Sequence, residues 1–264
     1  MRKLWMTVAL GVVAALAVAG VASAVNTYVI SIGKATPDKP GSLSKPSPAK
    51  VDFGYKVGDS EGLRPSVINQ YYIASEGIKY FPQAVPKCTF AQADESPAYN
   101  KKCKAAVVGK GTIANAFGAS GDRTAKAPCD VKLTLLNISN GKGVTKKRGG
   151  IAIRIDTGPP DCPLDIHGSL PAPIFDVKLD GVPSSEYRFT VPDSLVHPAP
   201  GVDNSVIDVV SHIPKKLHSI KIKGKKRKVS FASSVGRKGK KRTLRVTFIS
   251  EDGHKSTAVQ EFPK

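Results

Sequence analysis

At 264 residues and 41% hydrophobic content the chain can bury a sizeable core, which excludes an intrinsically disordered protein despite a formal net charge of +19. Such a charge attracts polyanions. Four cysteines without any CxxC pair argue against the common structural zinc frameworks.

In chain order, Arg2 and Lys3 precede an almost wholly Val, Ala, Leu and Gly run from Val8 to Gly20, and Ala22-Ser23-Ala24 supplies the small-x-small pattern of signal-peptidase cleavage. Residues 1–24 are therefore expected to be a secretory signal peptide, with Val25 as the mature N-terminus and a secreted or cell-wall-associated destination. The alternative is an uncleaved membrane anchor, because Leu4 to Val25 is roughly the 20 residues that span a bilayer. Trp5, the only tryptophan, would leave with the signal peptide. Residues 25–50 follow as a disordered linker, with TPDKPGSLSKPSPAK over 36–50 lacking any apolar period.

From residue 51 onward short stretches alternate apolar and polar residues: Val51, Phe53, Tyr55, Val57; Val131, Leu133, Leu135; Ile151, Ile153, Ile155; and Leu244, Val246, Phe248. Gly158-Pro159-Pro160, Pro171 with Pro173, and Pro198 with Pro200 punctuate them, and no helical period is sustained over ten residues. Glu251-Asp252-Gly253-His254 reads as the turn of a closing hairpin. The pattern predicts an all-β domain over 51–264, an antiparallel β-sandwich of immunoglobulin-like or jelly-roll-like kind in preference to a barrel.

An exported chain meets an oxidising compartment, so Cys88, Cys103, Cys129 and Cys162 are expected to form disulfides. Three pairings are possible. The sequence-near one, Cys88 with Cys103 and Cys129 with Cys162, closes short loops, each stabilising by about 3 to 4 kcal/mol on the chain-entropy account.

Charge is segregated. No acidic residue occurs from Val209 to Ser250, while Lys215 to Arg245 carries 14 lysines and arginines. Ile220, Ile222, Val229 and Phe231 alternate with Lys221, Lys223, Lys228 and Ser230 around Gly224-Lys225-Lys226-Arg227, which predicts a hairpin with basic residues on one face and at the tip. Arg237, Lys238, Lys240, Lys241 and Arg242 fill the next turn. Together these residues are a candidate polyanion site, for anionic cell-wall polymers or lipid head groups. The competing reading is that the lysines only keep edge strands soluble. Dedicated nucleic-acid binding is disfavoured, since Phe231 and Phe248 are the only aromatics nearby and both are placed in a core.

No catalytic, metal or cofactor motif stands out. His167, His197, His212, His218 and His254 lack metal-ligand spacing. There is no GxSxG elbow, and Ser42-Leu43-Ser44-Lys45 matches SxxK only within the proline-rich stretch. Asp156, Asp161 and Asp165 lack the spacing of a calcium loop, and Gly109-Lys110-Gly111-Thr112 lacks the frame of a phosphate loop and reads as a glycine-tolerant strand. Tyr71, Tyr72, Tyr80 and Phe81 would be the aromatic platform for a sugar, or equally core and rim residues.

Val51-Asp52-Phe53, Pro86-Lys87-Cys88 after Phe81-Pro82, Cys103 followed by Val108 to Thr112, the stretch Val131 to Asn137, Pro198 to Gly201, and Phe248 to Gly253 together carry a resemblance. In these phrases the chain resembles a family of secreted actinobacterial β-sandwich proteins of unknown function. The resemblance implies an exported sandwich with Cys88 close to Cys103 and no catalytic residues, although this chain lacks a late cysteine near its last strand. The sequence as a whole suggests a non-enzymatic envelope protein without cofactor or small-molecule substrate; the alternatives are an adhesion or scaffold module and a secreted hydrolase.

Overall fold

The computed structural model describes residues 26–32, 40–236 and 242–261. The expected signal peptide and its anchor alternative lie outside them. The strands in chain order are β1 (Asn26–Ile32), β2 (Ser47–Pro48), β3 (Val51–Asp59), β4 (Ile68–Ser75), β5 (Ile78–Tyr80), β6 (Val107–Ala119), β7 (Ala127–Ile138), β8 (Gly150–Thr157), β9 (Ile166–Leu179), β10 (Val182–Thr190), β11 (Val202–Ile213), β12 (His218–Ile222), β13 (Lys225–Val229), β14 (Ala232–Ser234), β15 (Thr243–Ser250) and β16 (Lys255–Glu261). Among the described residues, helix is confined to single turns, α1 (Phe90–Ala93) and α2 (Asp193–Val196), and two 3-10 segments. The fold is all-β and antiparallel, as the alternating sequence predicts.

Eleven strands join in the order β1-β3-β11-β6-β7-β8-β9-β10-β4-β15-β16, and β1 also lies against β16, so the sheet curls almost into a barrel. Seen as a sandwich, its two layers are continuous through β9. The first half of β9, Ile166 to Pro173, pairs with β8; the second, Ile174 to Leu179, pairs with β10. Pro171 and Pro173 lie inside this strand instead of between strands. The Ile174 N–H reaches Gly149 O at 3.3 Å, on the β8 side, so by alternation positions 171 and 173 face away from β8, where β10 is not yet paired. The two prolines therefore forfeit no ladder bond.

The period-two residues fill the interior: Val51, Tyr55 and Val57 of β3, Val131, Leu133 and Leu135 of β7, and Leu244, Val246 and Phe248 of β15 are buried. An aromatic seam bridges the layers. Tyr28 of β1 stacks on Phe248 at 4.3 Å, Phe248 meets Tyr55 edge-on at 5.3 Å, and Tyr71 of β4 stacks on Phe189 of β10 at 5.0 Å. Gly109 and Gly111 belong to β6, where a Cβ at Gly111 would collide with the Val210 carbonyl of β11. This stretch is a close strand-strand contact and makes no phosphate loop.

The disordered linker expected over 25–50 is replaced, wherever the chain is described, by ordered structure. Residues 26–32 pair along β3, and Ser47–Pro48 pairs with β14. Gly41 N–H donates to Ser234 O at 3.1 Å, Ala49 N–H to Ala232 O at 3.0 Å, and Ala49 is fully buried. Backbone pairing of this kind needs no apolar period, which is why the composition conceals it.

Both sequence-near disulfides form, Cys88–Cys103 with Cα atoms 5.3 Å apart and Cys129–Cys162 with 4.2 Å, as suits an oxidising, extracellular-type environment. Two wholly buried arginines tie loops to the sheet. Arg154 donates to the carbonyls of Ala93, Glu95 and Pro97 and to Asp156 Oδ1, at 2.6–3.2 Å. Arg64 holds the carbonyls of Ala119, Asp122 and Asp203. Asn137 performs the same task for Pro82, Val85 and Pro86.

At the end of the barrel beside α2, His197 is clamped between Asp203 of β11 (3.1 Å) and Glu251 of the β15–β16 turn (2.7 Å). The hydrogen bond to Glu251 is the main cause of a pKa raised above the ordinary histidine value, with the charge of Asp203 adding to it. A raised folded-state pKa stabilises fully below the unfolded value of about 6.5 and is lost as pH rises through the folded value.

Arg154→Met should lower unfolding stability by about 3 kcal/mol, because Asp156 and three loop carbonyls lose their donor; a urea midpoint equal to wild type would refute that role. His197→Gln should flatten the fall of the thermal midpoint between about pH 6 and 8. An unchanged pH dependence in scanning calorimetry would show the clamp to be energetically silent.

Candidate functional site

The basic segment folds as the expected hairpin, β12 against β13, in a two-stranded sheet of its own. Its tip is Lys223-Gly224, not the stretch from Gly224 to Arg227. Both tip residues have positive φ, 49° and 76°, the requirement of a two-residue turn matched to strand twist. This register decides the faces. Lys221 stands directly opposite Lys226, and Lys228 opposite Ser219, all exposed on one face. The other face carries Ile220 opposite Arg227 and Ile222 opposite Lys225, with buried Val229 anchoring the base.

Arg227 is already engaged, donating from Nε to the Ser44 carbonyl at 3.1 Å. Across this bond the 40–48 turn and the hairpin enclose an open groove of about 900 Å3. Lys45, Lys215, Lys226, Arg227 and Lys228 line it, among walls of Pro40, Pro46 and Pro48, and no acidic or aromatic side chain takes part. Lys215 opens the expected basic run, whereas Lys45 was not among the expected site residues. Lys45 lies far off in sequence, and only the docking of the 40–48 turn brings it in. No salt bridge engages Lys221, Lys223, Lys225, Lys226 or Lys228 among the described residues. Arg237, Lys238, Lys240 and Lys241 lie outside the described residues. Arg242 is half-buried and donates to Ser234 Oγ at 2.6 Å, so it braces β14.

The other candidates resolve into structure. Ser42 and Lys45 close a tight turn through reciprocal backbone bonds of 3.0 and 3.1 Å, and Ser42 Oγ contacts Ser44 Oγ. Asp156 is taken up by Arg154 and by His167, which also meets Asp165 at 3.1 Å. His212 pairs with Asp52 across neighbouring strands. Burial, reinforced by Lys216, lowers the pKa of His218. Asp165 is two residues from His167, whereas Asp52 reaches His212 from 160 residues away and leaves no local sequence signal. Tyr71 and Phe81 are core residues, Tyr80 packs on Tyr187 at 4.5 Å, and Arg188 covers the Tyr72 ring. The four do not form a platform.

The second concavity lies inside the sheet. An apolar cavity of about 130 Å3 runs between the layers, walled by Phe53, Ile113, Ile153, Phe189 and their neighbours, with Leu195 and Val196 of α2 among its lining. Tyr71, Asn115, Tyr187 and Asn204 bring polar atoms to the lining, and no charged residue does.

No helix among the described residues is long and apolar enough to cross a membrane. Comparisons with protein-family models, curated proteins and solved structures returned no match, so the geometry alone carries the functional reading.

Proposed function

We propose that the protein is an exported binding protein of the cell envelope that holds an anionic polymer in the groove between the 40–48 turn and the β12–β13 hairpin, without chemistry of its own. The observation that carries this reading is the register of the hairpin. Lys221 directly opposite Lys226 places two like charges on facing positions, an arrangement that destabilises a bare hairpin by several tenths of a kcal/mol. An alternating pattern with one acidic residue would have served solubility better. A line of phosphates or carboxylates passing Lys226, which belongs both to this pair and to the groove lining, relieves the repulsion and fits a groove whose charges all have one sign.

The absence of aromatic side chains from the groove lining favours a polymer read by charge and spacing over a single-stranded nucleic acid read by stacking. The apparent export signal, the two disulfides and the resemblance to secreted actinobacterial proteins are consistent with envelope polymers as ligands. An adhesive module would call for a large apolar surface, but only five large apolar residues are exposed among those described, Val29, Val210 and Val259 on strands and Leu43 and Leu217 in loops.

Retention on immobilised teichoic acid or heparin tests the reading. Wild type should elute at high salt, and Lys215→Ser, Lys226→Ser and Lys228→Ser combined should elute far earlier, with the slope of log affinity against log salt reduced by about one per lost phosphate contact. Among the described residues those three side chains make no hydrogen bond or ion pair that braces the fold, so folding should survive. Equal elution of the variant would reduce the charge to a solubility device.

A further inference from the structure

We infer that the cavity between the two layers is a binding site for a small neutral aromatic alcohol, of about the size of phenol. The inference is independent of the basic groove. At about 130 Å3 the cavity is far larger than one water requires and close to the roughly 150 Å3 apolar cavity known to bind benzene. A lining of Phe53, Ile113, Ile153 and Phe189 with no charged residue rejects ions and accepts a ring.

The polar atoms define the rest of the ligand. Asn115 is 6% exposed, and its Oδ1 is buried without a hydrogen-bond partner. Asn204 uses its amide nitrogen on the Leu195 carbonyl at 2.7 Å, leaving its buried Oδ1 equally unpaired. Both residues line the cavity. The buried hydroxyls of Tyr71 and Tyr187 also lack a well-formed partner; each has a tyrosine hydroxyl nearby, that of Tyr55 and Tyr80 respectively. Two orphaned carbonyl oxygens call for a donor, and an apolar wall calls for a ring, so a ring bearing a hydroxyl meets both requirements. Of the eight buried side-chain polar atoms without a hydrogen-bond partner among the described residues, four belong to residues that line this one cavity.

The route in is offered by α2. This single turn contributes Leu195 and Val196 to the cavity wall and is held by Asn204 and by the His197 clamp, so a local opening there exposes the lumen without unpairing the main sheet.

Isothermal titration calorimetry of the oxidised protein with phenol, benzene and benzoate distinguishes the possibilities. Phenol should bind at one site, benzene about tenfold more weakly for want of the hydroxyl, and benzoate not measurably. Asn115→Leu should reduce the preference for phenol, since only Asn204 Oδ1 remains as an acceptor, while benzene still binds, which also reports that the variant is folded. Ile153→Trp, which fills the void, should abolish both, with circular dichroism confirming the sheet. The inference fails if neither phenol nor benzene binds, as for a cavity occupied only by ordered water. It fails equally if Asn115→Leu keeps the full preference for phenol or if benzoate binds as well as phenol.

Discussion

The structure depends on one closure: an eleven-stranded antiparallel sheet must curl far enough for β1 to reach β16 while its inner faces remain apolar. Strand twist supplies the curvature, but twist alone does not hold the two ends together. The aromatic seam does so, because Tyr28 of the first strand stacks on Phe248 of the penultimate one and Phe248 in turn contacts Tyr55 and Tyr71. At the opposite side no seam is needed, since β9 runs through both layers. Four strands of the inner face therefore meet in one aromatic cluster, and β10 joins them through Phe189.

Closing a sheet leaves loops at both ends whose backbone groups still need partners, and the chain meets that need with buried polar side chains. Arg154, Arg64 and Asn137 each collect carbonyl oxygens that would otherwise be lost to the interior. A guanidinium with several short hydrogen bonds repays its burial in a way that a lysine with one ammonium point charge does not. The disulfides act at the same level, Cys88–Cys103 beside α1 and Cys129–Cys162 near the end of β8. At the inner cavity the Oδ1 atoms of Asn115 and Asn204 stay buried without a partner, as Asn137 Oδ1 does elsewhere in the molecule.

Electrostatics are handled by segregation. The basic hairpin forms a sheet separate from the main one, so its repulsions strain two short strands and spare the closed sheet. Arg227, which ties it to the N-terminal turn through the Ser44 carbonyl, also lines the groove. Charge that would be costly inside the barrel is thus held where anions can approach it.

How much of this was legible in the sequence varies with the range of the interaction. The inward residues of β3, β7, β8 and β15 follow from alternation alone, because a pleated strand with one buried face has a period of two. The hairpin of β12 and β13 follows from the same rule, and the short disulfide loops from the cost of closing long ones. The tip of that hairpin was misplaced because the turn is chosen by the φ values of Lys223 and Gly224, which hydropathy does not encode. Ordered pairing of 26–32 and 40–50 was hidden for a similar reason: backbone hydrogen bonds make no demand on side-chain polarity. Lys45 in the groove, Glu251 beside His197, and Asn115 with Asn204 at one cavity join residues up to 183 positions apart, as Arg227 and Ser44 are. Composition and periodicity determined that this chain would be an all-β, disulfide-bonded protein with one basic hairpin; only the closure of the sheet decided which distant side chains share a site, because proximity across a folded sheet is set by strand order and register, which local sequence does not specify.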